Sequence, residues 1–209
     1  MSTLELLHWK YAKKSFDPNK KIDSNVLHQF KELIESSPTS SSIQPFKIFI
    51  VNDDVLREEI KSYTWNREEV SQCSNLLIFA CKNSISDNDI EEYISNLSTV
   101  QNLTIDISTN YKNMMEGWLH RMSNTEMQQW TTNQTYLTLG VALTAAEKVN
   151  IDACPIEGFD PCAVDELLGL RKKGYSCKVM LALGYYSDTQ SVNEASINIG
   201  SNIFQAAEF

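Results

Sequence analysis

Apolar residues run without interruption through three short stretches of the chain, and this pattern predicts three buried β-strands. The stretches are residues 46–51, 75–81 and 178–186, which read FKIFIV, NLLIFAC and KVMLALGYY. Short continuous runs of this composition are typical of strands that are covered on both faces. Segments with helical spacing separate them, so the pattern predicts an α+β domain in which helices cover both sides of a sheet.

Helical periodicity marks four other segments, which are residues 2–9, 23–37, 53–63 and 125–149. The long segment at 125–149 carries two neighbouring apolar stripes, one of Tyr136, Leu139, Gly140 and Leu143 and one of Leu137, Val141 and Ala145. Apolar residues around so much of the circumference predict a central, buried helix. In a domain of this size they also indicate burial against a second copy of the chain.

The stretch from residue 85 to residue 124 is polar, rich in Ser and Asn and only weakly periodic. It predicts helices with an exposed connection, and we interpret it as a helical excursion or lid. No repeat or linker divides the chain, and a length of 209 residues suits one domain covering residues 1–209.

The charge balance and the cysteines restrict the partners and the compartment. A net charge of −9 at pH 7 argues against nucleic acid and anionic membranes as partners. Five cysteines without a CxxC pair argue against a disulfide framework and indicate a reducing cytoplasm. No stretch approaches the roughly 20 apolar residues of a membrane span, so the sequence predicts a cytoplasmic protein.

The common catalytic signatures are missing. The histidines, His8, His28 and His120, have no metal-ligand spacing, and neither HExxH nor CxxC accompanies them. The chain has no GxSxG, no P-loop and no GxGxxG. A metal site is therefore not expected, and hydrolase, nucleotide-kinase and Rossmann dehydrogenase functions lose their usual support.

Five separated motifs remain, which are WKYAKKSFDP at 9–18, SSPTSSSIQPF at 36–46, WN at 65–66, WTTNQTYLTLG at 130–140 and PIEGFDP at 155–161. In this order and spacing they resemble the FMN-dependent nitroreductase family, which includes NAD(P)H-dependent flavin reductases and dihydropteridine-reductase-like members. The resemblance extends from residue 5 to residue 186.

This resemblance implies an intertwined homodimer of three-layer α+β sandwiches, each with a central, mostly antiparallel sheet, and FMN bound between the subunits. It also implies that NADH or NADPH transfers hydride to flavin N5 and is replaced by a nitroaromatic, quinone or flavin acceptor in a ping-pong mechanism. Two alternatives stay open. One is a flavin-dependent biosynthetic oxidase or dehydrogenase of the same fold, and the other is a flavin-sequestering or non-catalytic relative with weakened FMN binding.

By the same resemblance, the first motif contributes cofactor-binding residues at Lys10, Tyr11, Ala12 and Lys14. Lys10 would serve the FMN phosphate, and Lys14 would lie beside the flavin pyrimidine ring. A fixed cation there stabilises the negative charge of a reduced flavin. The alternative is a solvated basic turn formed by Lys10, Lys13 and Lys14.

The other motifs imply further cofactor contacts, which are Pro38, Thr39, Ser40, Ser42, Asn66, Gln134, Pro155, Ile156, Glu157 and Gly158. The serine-rich loop would reach a flavin held mainly by the other subunit. For Gln134, the alternative to a cofactor contact is a side chain that is simply exposed on the helix. The N–H groups of Glu157 and Gly158 would face the N5 and O4 edge, which makes Glu157, Gly158 and Lys14 the implied catalytic set. Pro155 and Gly158 would fix the direction of these donors.

Two smaller expectations concern residues near this implied site. Met114, Met115 and Trp118 are candidates for the wall on the acceptor side, with plain helix core as the alternative. Cys154 and Cys162 flank the PIEGFD stretch and are expected to be buried, small apolar residues.

The chain also departs from the family pattern. Glu69 stands where the family has Lys or Gln, and its carboxylate would oppose an anionic flavin unless it points away. Residues 191–204 contain no cation, although relatives usually hold the FMN phosphate with a Lys-x-Arg pair there. Lys10 lacks the bidentate fork of the more common Arg, so phosphate binding is expected to depend on Lys10, backbone N–H groups and hydroxyls.

Overall fold

A computed structural model of the chain describes residues 15–65 and 67–187. Some of the sequence predictions lie outside the described residues, namely the helix at 2–9, Lys10, Tyr11, Ala12, Lys14, Asn66 and the cation-free stretch at 191–204. The structural description below concerns the two described segments.

Four strands form one antiparallel sheet in the described part of the chain, namely β1 (Phe46–Val51), β2 (Asn75–Lys82), β3 (Asp152–Ile156) and β4 (Tyr175–Gly184). Their spatial order is β1-β2-β4-β3, and all three pairings are antiparallel. The three predicted strands and the antiparallel sheet are confirmed. The fourth strand, β3, was not predicted; it contains Pro155, which an edge strand tolerates because one of its sides has no ladder partner.

Residues 15–65 and 67–187 also form seven α-helices, namely α1 (Ser24–Glu35), α2 (Asp54–Ser62), α3 (Glu69–Gln72), α4 (Asp87–Gln101), α5 (Ile105–Leu119), α6 (Asn124–Lys148) and α7 (Pro161–Leu167). Side-chain caps explain where several of these helices begin. Asp23 and Asp53 accept hydrogen bonds from first-turn N–H groups, and Ser123 with Glu126 forms a capping box before α6. None of the described helices has the length and apolarity that crossing a membrane requires.

The sheet separates two hydrophobic cores, because successive side chains of a strand point to opposite faces. Leu77 and Phe79 of β2 pack in the core shared with α1 and α6. Leu76 and Ile78 pack in the core shared with α2, α3 and α7. Helices therefore cover both faces, and the predicted three-layer sandwich is confirmed.

Residues 85–124 form a helical hairpin of α4 and α5 that builds a third cluster against the start of α6. Its buried members are Ile90, Ile94, Met115, Leu119 and Met127. Trp118 packs edge-to-face on Trp130 with ring centroids 5.1 Å apart. Met115 and Trp118 thus have core contacts, whereas Met114 is exposed. The role of this hairpin as a lid stays a prediction.

The long helix α6 is buried on one side only in the single chain. Leu139, Ala142 and Ala146 face the sheet, but Tyr136 is 37% exposed and Leu137 is 47% exposed on the outer side. The predicted burial of this helix is therefore met on the side that faces the sheet, and its burial against a second copy of the chain stays a prediction.

Gly184 at the end of β4 lies against Phe16. A Cβ there would be 2.8 Å from Phe16 Cδ1 and 3.3 Å from the Ser74 nitrogen. We expect Gly184→Ala to lower the free energy of unfolding by about 1–3 kcal/mol through overpacking. The control is Gly117→Ala in α5, where the nearest atom would be 4.0 Å away; it should raise stability by roughly 0.5–1 kcal/mol. Urea denaturation of both variants checks this, and equal stabilities would contradict it.

Candidate active site

Two of the predicted motifs lie side by side because their backbones are hydrogen-bonded. Trp65 N–H donates to the Gly158 carbonyl at 2.9 Å, and Asp160 N–H donates to the Tyr63 carbonyl at 2.9 Å. Between these two bonds, Thr64 and Phe159 form an antiparallel bridge. The segment Tyr63–Trp65 and the PIEGFD stretch, far apart in sequence, therefore form one hydrogen-bonded pair after the end of β3.

The loop after β3 presents two backbone donors without an internal acceptor. Within the described residues, no hydrogen bond uses the N–H of Glu157 or of Gly158. Gly158 is nonetheless buried, and buried N–H groups in folded proteins are nearly always paired. Two successive donors at this position are therefore available to an acceptor that these residues do not supply.

The side chains of this loop point in different directions. Ile156 is fully buried in the core under α2, α3 and α7, so only its backbone is available to a ligand. Pro155 is exposed at the sheet edge. A Cβ on Gly158 would lie 3.1 Å from Trp65 Cε3, so a larger residue there would push Trp65 away.

Tyr136 holds the Glu157 carboxylate. Its hydroxyl donates to Glu157 Oε1 at 2.5 Å and lies 3.4 Å from the Lys178 carbonyl oxygen, at a bulge where β4 shifts register against β2. Burial, followed by the bond to Glu157, raises the pKa of Tyr136 above its usual value. The phenol thus stays protonated near neutral pH and ties α6 to the loop. Sequence reasoning missed this because Tyr136 was assigned to an apolar stripe.

The serine-rich loop is anchored on the other side of α6. Gln134 is 6% exposed, and its Oε1 accepts a hydrogen bond from the Ser40 N–H at 2.8 Å. The alternative of ordinary exposure is therefore wrong for Gln134. Ser42 has a left-handed backbone with φ 54°, a conformation that is uncommon for residues other than Gly. Ser40, Ser42 and Pro38 are exposed, while the Thr39 hydroxyl is buried without a hydrogen-bond partner.

The two anchored loops do not meet within one chain. Gln134 and Tyr136 are two positions apart on a helix, so their side chains point roughly 200° apart at about 3.6 residues per turn. The Ser40 loop therefore lies on nearly the opposite side of α6 from the Glu157 loop. One chain presents two separate groups of the predicted site residues.

The departure at Glu69 has a structural explanation. Glu69 lies on α3 and is only 5% exposed. The pKa of Tyr186 in the core is raised, first by burial and then by the nearby Cys154, Asp152 and Glu69. The carboxylate thus points inward rather than out from the surface.

Other candidate groups are not part of this arrangement. Cys162 is exposed, and its Sγ lies 3.0 Å from Arg171 Nη2; the expectation that it is buried is wrong, because its side chain projects from the solvent-facing first turn of α7. Cys154 is half-buried. Among the described residues, no group of His, Cys, Asp and Glu side chains could hold a metal ion.

Comparison with known sequences supports the resemblance. The family model described as "Nitroreductase family" matches residues 7–185. The chain is 28% identical over 190 residues to the major NAD(P)H-flavin oxidoreductase of Aliivibrio fischeri, covering 88% of this chain and 87% of that protein. It is 30% identical over 193 residues to a putative NAD(P)H nitroreductase of Bacillus subtilis, covering 87% of each.

Solved structures share the fold. A putative nitroreductase from Bacillus subtilis superimposes with a TM-score of 0.84 at 17% identity, over 99% of this chain and 100% of that one. A putative nitroreductase from Exiguobacterium sibiricum, solved in complex with FMN, gives 0.76 at 15% identity over 91% of both chains. At these identities the likeness establishes the fold.

The bond between Gln134 and Ser40 should be measurable. We expect Gln134→Met, which removes the acceptor, to lower the free energy of unfolding by about 1 kcal/mol and to speed amide hydrogen exchange at Ser40. Gln128→Met on the exposed side of α6 is the matched control and should change stability by less than about 0.5 kcal/mol. Unchanged exchange at Ser40 in Gln134→Met would contradict the anchoring role.

Proposed function

Because the chain belongs to the nitroreductase family, a family of oxidoreductases, we propose that it is a homodimeric FMN enzyme. In this proposal it takes hydride from NADH or NADPH and passes the electrons to a small acceptor such as a nitroaromatic, a quinone or a flavin. The observation that carries the proposal is the pair of N–H groups at Glu157 and Gly158, for which no described residue supplies an acceptor. The names of the relatives, and the FMN in one structural neighbour, favour the same cofactors.

The residues present fit the reactive edge of a flavin. An oxidised flavin carries hydrogen-bond acceptors at N5 and O4, and two successive backbone donors suit such a pair. The loop that presents them is braced by the bonds to Tyr63 and Trp65, so the donors keep their direction without a ligand. The buried, unpartnered Thr39 hydroxyl offers a further donor from the serine-rich loop. Lys10, Lys14 and Asn66 lie outside the described residues, and their roles stay predictions.

When bound, FMN supplies N5, which accepts hydride from the nicotinamide and later returns the electrons to the acceptor. The N–H groups of Glu157 and Gly158 would orient that edge and stabilise charge that develops on it. Tyr136 keeps the Glu157 carboxylate hydrogen-bonded at 2.5 Å, which limits its repulsion of a negative flavin. Nicotinamide and acceptor would use one open face in turn, which gives the ping-pong order.

The dimer in this proposal follows from the two sides of α6. Its outer face leaves Tyr136 and Leu137 exposed, and an apolar helix face of this kind requires a covering surface. A second copy would cover it. The Ser40 loop and the Glu157 loop point away from each other within a chain, so a second copy would also allow the Ser40 loop of one subunit to complete a site that contains the Glu157 loop of the other.

The visible spectrum of the purified protein tests the function. We expect a flavin band, present on purification or after FMN is added, that bleaches when NADH or NADPH is added without oxygen. A band that neither nicotinamide bleaches would favour the biosynthetic oxidase or the flavin-sequestering alternative. No bound flavin after FMN addition would overturn the proposal.

The dimer has its own test on α6. Leu137→Glu places a charge on the exposed apolar face, and we expect it to reduce the particle mass in light scattering from twice the chain mass of 23.8 kDa to that of one chain. Val55→Glu is the matched control, because Val55 is 77% exposed on α2, and its mass should equal that of the wild type. A wild type that is already monomeric, or an unchanged mass in Leu137→Glu, would count against this interface.

A further inference from the structure

Arg67 contacts the loop that carries the two unpartnered donors. A Cβ on Gly158 would lie 3.5 Å from Arg67 Nε and 3.7 Å from Arg67 Nη2, so the guanidinium packs on the backbone of this residue. The Nε atom is buried and has no hydrogen-bond partner among the described residues. A buried donor of a charged group without an acceptor is unfavourable, so this nitrogen is available to an acceptor that the described residues do not supply.

Arg57 differs from Arg67 in its ion pairing, although its Nε is likewise buried without a hydrogen-bond partner among the described residues. Arg57 is 1% exposed. Its Nη1 donates to the Ser74 carbonyl at 2.8 Å, and its Nη2 pairs with the Asp54 carboxylate. Arg57 is thus neutralised within its own core, whereas Arg67 forms no ion pair with any described residue.

The carboxylates next to Arg67 in sequence are directed elsewhere. Glu68 pairs with Lys61 at 2.6 Å. Glu69 is turned into the protein with 5% exposure. Two acidic residues therefore follow Arg67 directly without neutralising it, and no ion pair with a described residue compensates its positive charge beside the Glu157 and Gly158 donors.

We propose that Arg67 is a second cation that pairs with the negative charge of the flavin pyrimidine ring after reduction, in addition to the role that the family resemblance implies for Lys14. This inference rests on the proposed function. A hydride carries two electrons and one proton, so the neutral oxidised ring gains one negative charge when NAD(P)H leaves as NAD(P)⁺. A guanidinium next to the ring stabilises that charge, and its planar donors Nε and Nη2 match a carbonyl and ring-nitrogen edge. Arg67 therefore binds the reduced cofactor more tightly than the oxidised one.

The test is the two-electron reduction potential of bound FMN, measured by equilibration with a reference dye, in wild type and Arg67→Met. We expect the variant to lose about tenfold of its preference for reduced over oxidised FMN, which corresponds to a potential roughly 30 mV lower. Arg67→Lys, which keeps the charge, should retain most of the preference. Lys31→Met, which removes an exposed cation from α1, is the charge-matched control and should keep the wild-type potential.

The outcomes separate this inference from the proposed function. A wild-type potential in Arg67→Met, with FMN still bound and reduced, would overturn the role of Arg67 and leave the proposed function standing. A wild type that binds no FMN would overturn both. Arg67→Gln supplies a second neutral side chain if Met is not tolerated at this partly buried position, and the same loss of preference is expected of it. A shift of the same size in Lys31→Met would attribute the effect to net charge and overturn the local role.

Discussion

The site depends on one constraint, which is that the loop after β3 must hold two backbone donors without an acceptor of its own. Unpaired N–H groups favour any conformation in which they find a partner, so the surrounding structure has to prevent such rearrangement. Backbone bonds to Tyr63 and Trp65 hold one side of the loop. The Asp160 carboxylate accepts from the N–H groups of Cys162 and Ala163 at 2.9 and 3.2 Å, which starts α7 directly after it. The loop is thereby fixed at both ends as well as along one edge.

The helix α6 extends this constraint to the rest of the domain. Its sheet-facing side packs in the core with Leu139 and Ala142, so its rotation about its own axis is fixed by apolar packing. That rotation then determines where Gln134 and Tyr136 point, and with them the Ser40 loop and the Glu157 carboxylate. Apolar packing in the core and polar positioning at the two loops are therefore consequences of the same helix orientation. A side chain that shifted α6 would disturb both loops together.

The sequence predicted the fold well where the physical signal was local and continuous. The strand Phe46–Val51 has the predicted bounds, and α6 begins and ends within one residue of 125–149, because a capping box marks its start. The strand β3 was missed because it is short and contains a proline, which weakens any periodic signal. The motif resemblance assigned the PIEG loop and the WN stretch to one flavin site, and in the structure Trp65 is hydrogen-bonded to Gly158. It could not reveal the bond from Tyr136 to Glu157, since a phenol in an apolar stripe gives no sign of a polar partner 21 positions away.

Electrostatics explains why a single guanidinium matters in this chain. With a net charge of −9, the average potential of the protein opposes both a phosphate and a negatively charged ring. Screening by salt weakens that long-range field within about 8–10 Å in solution, but it weakens a contact inside a buried loop much less. A cation in direct contact with the loop can therefore outweigh many distant carboxylates. Glu68 forms an ion pair with Lys61, and Glu69 is buried. The two acidic residues that follow Arg67 in sequence therefore do not neutralise it. Arg67 thus adds a positive charge in contact with Gly158, in a protein that is acidic as a whole.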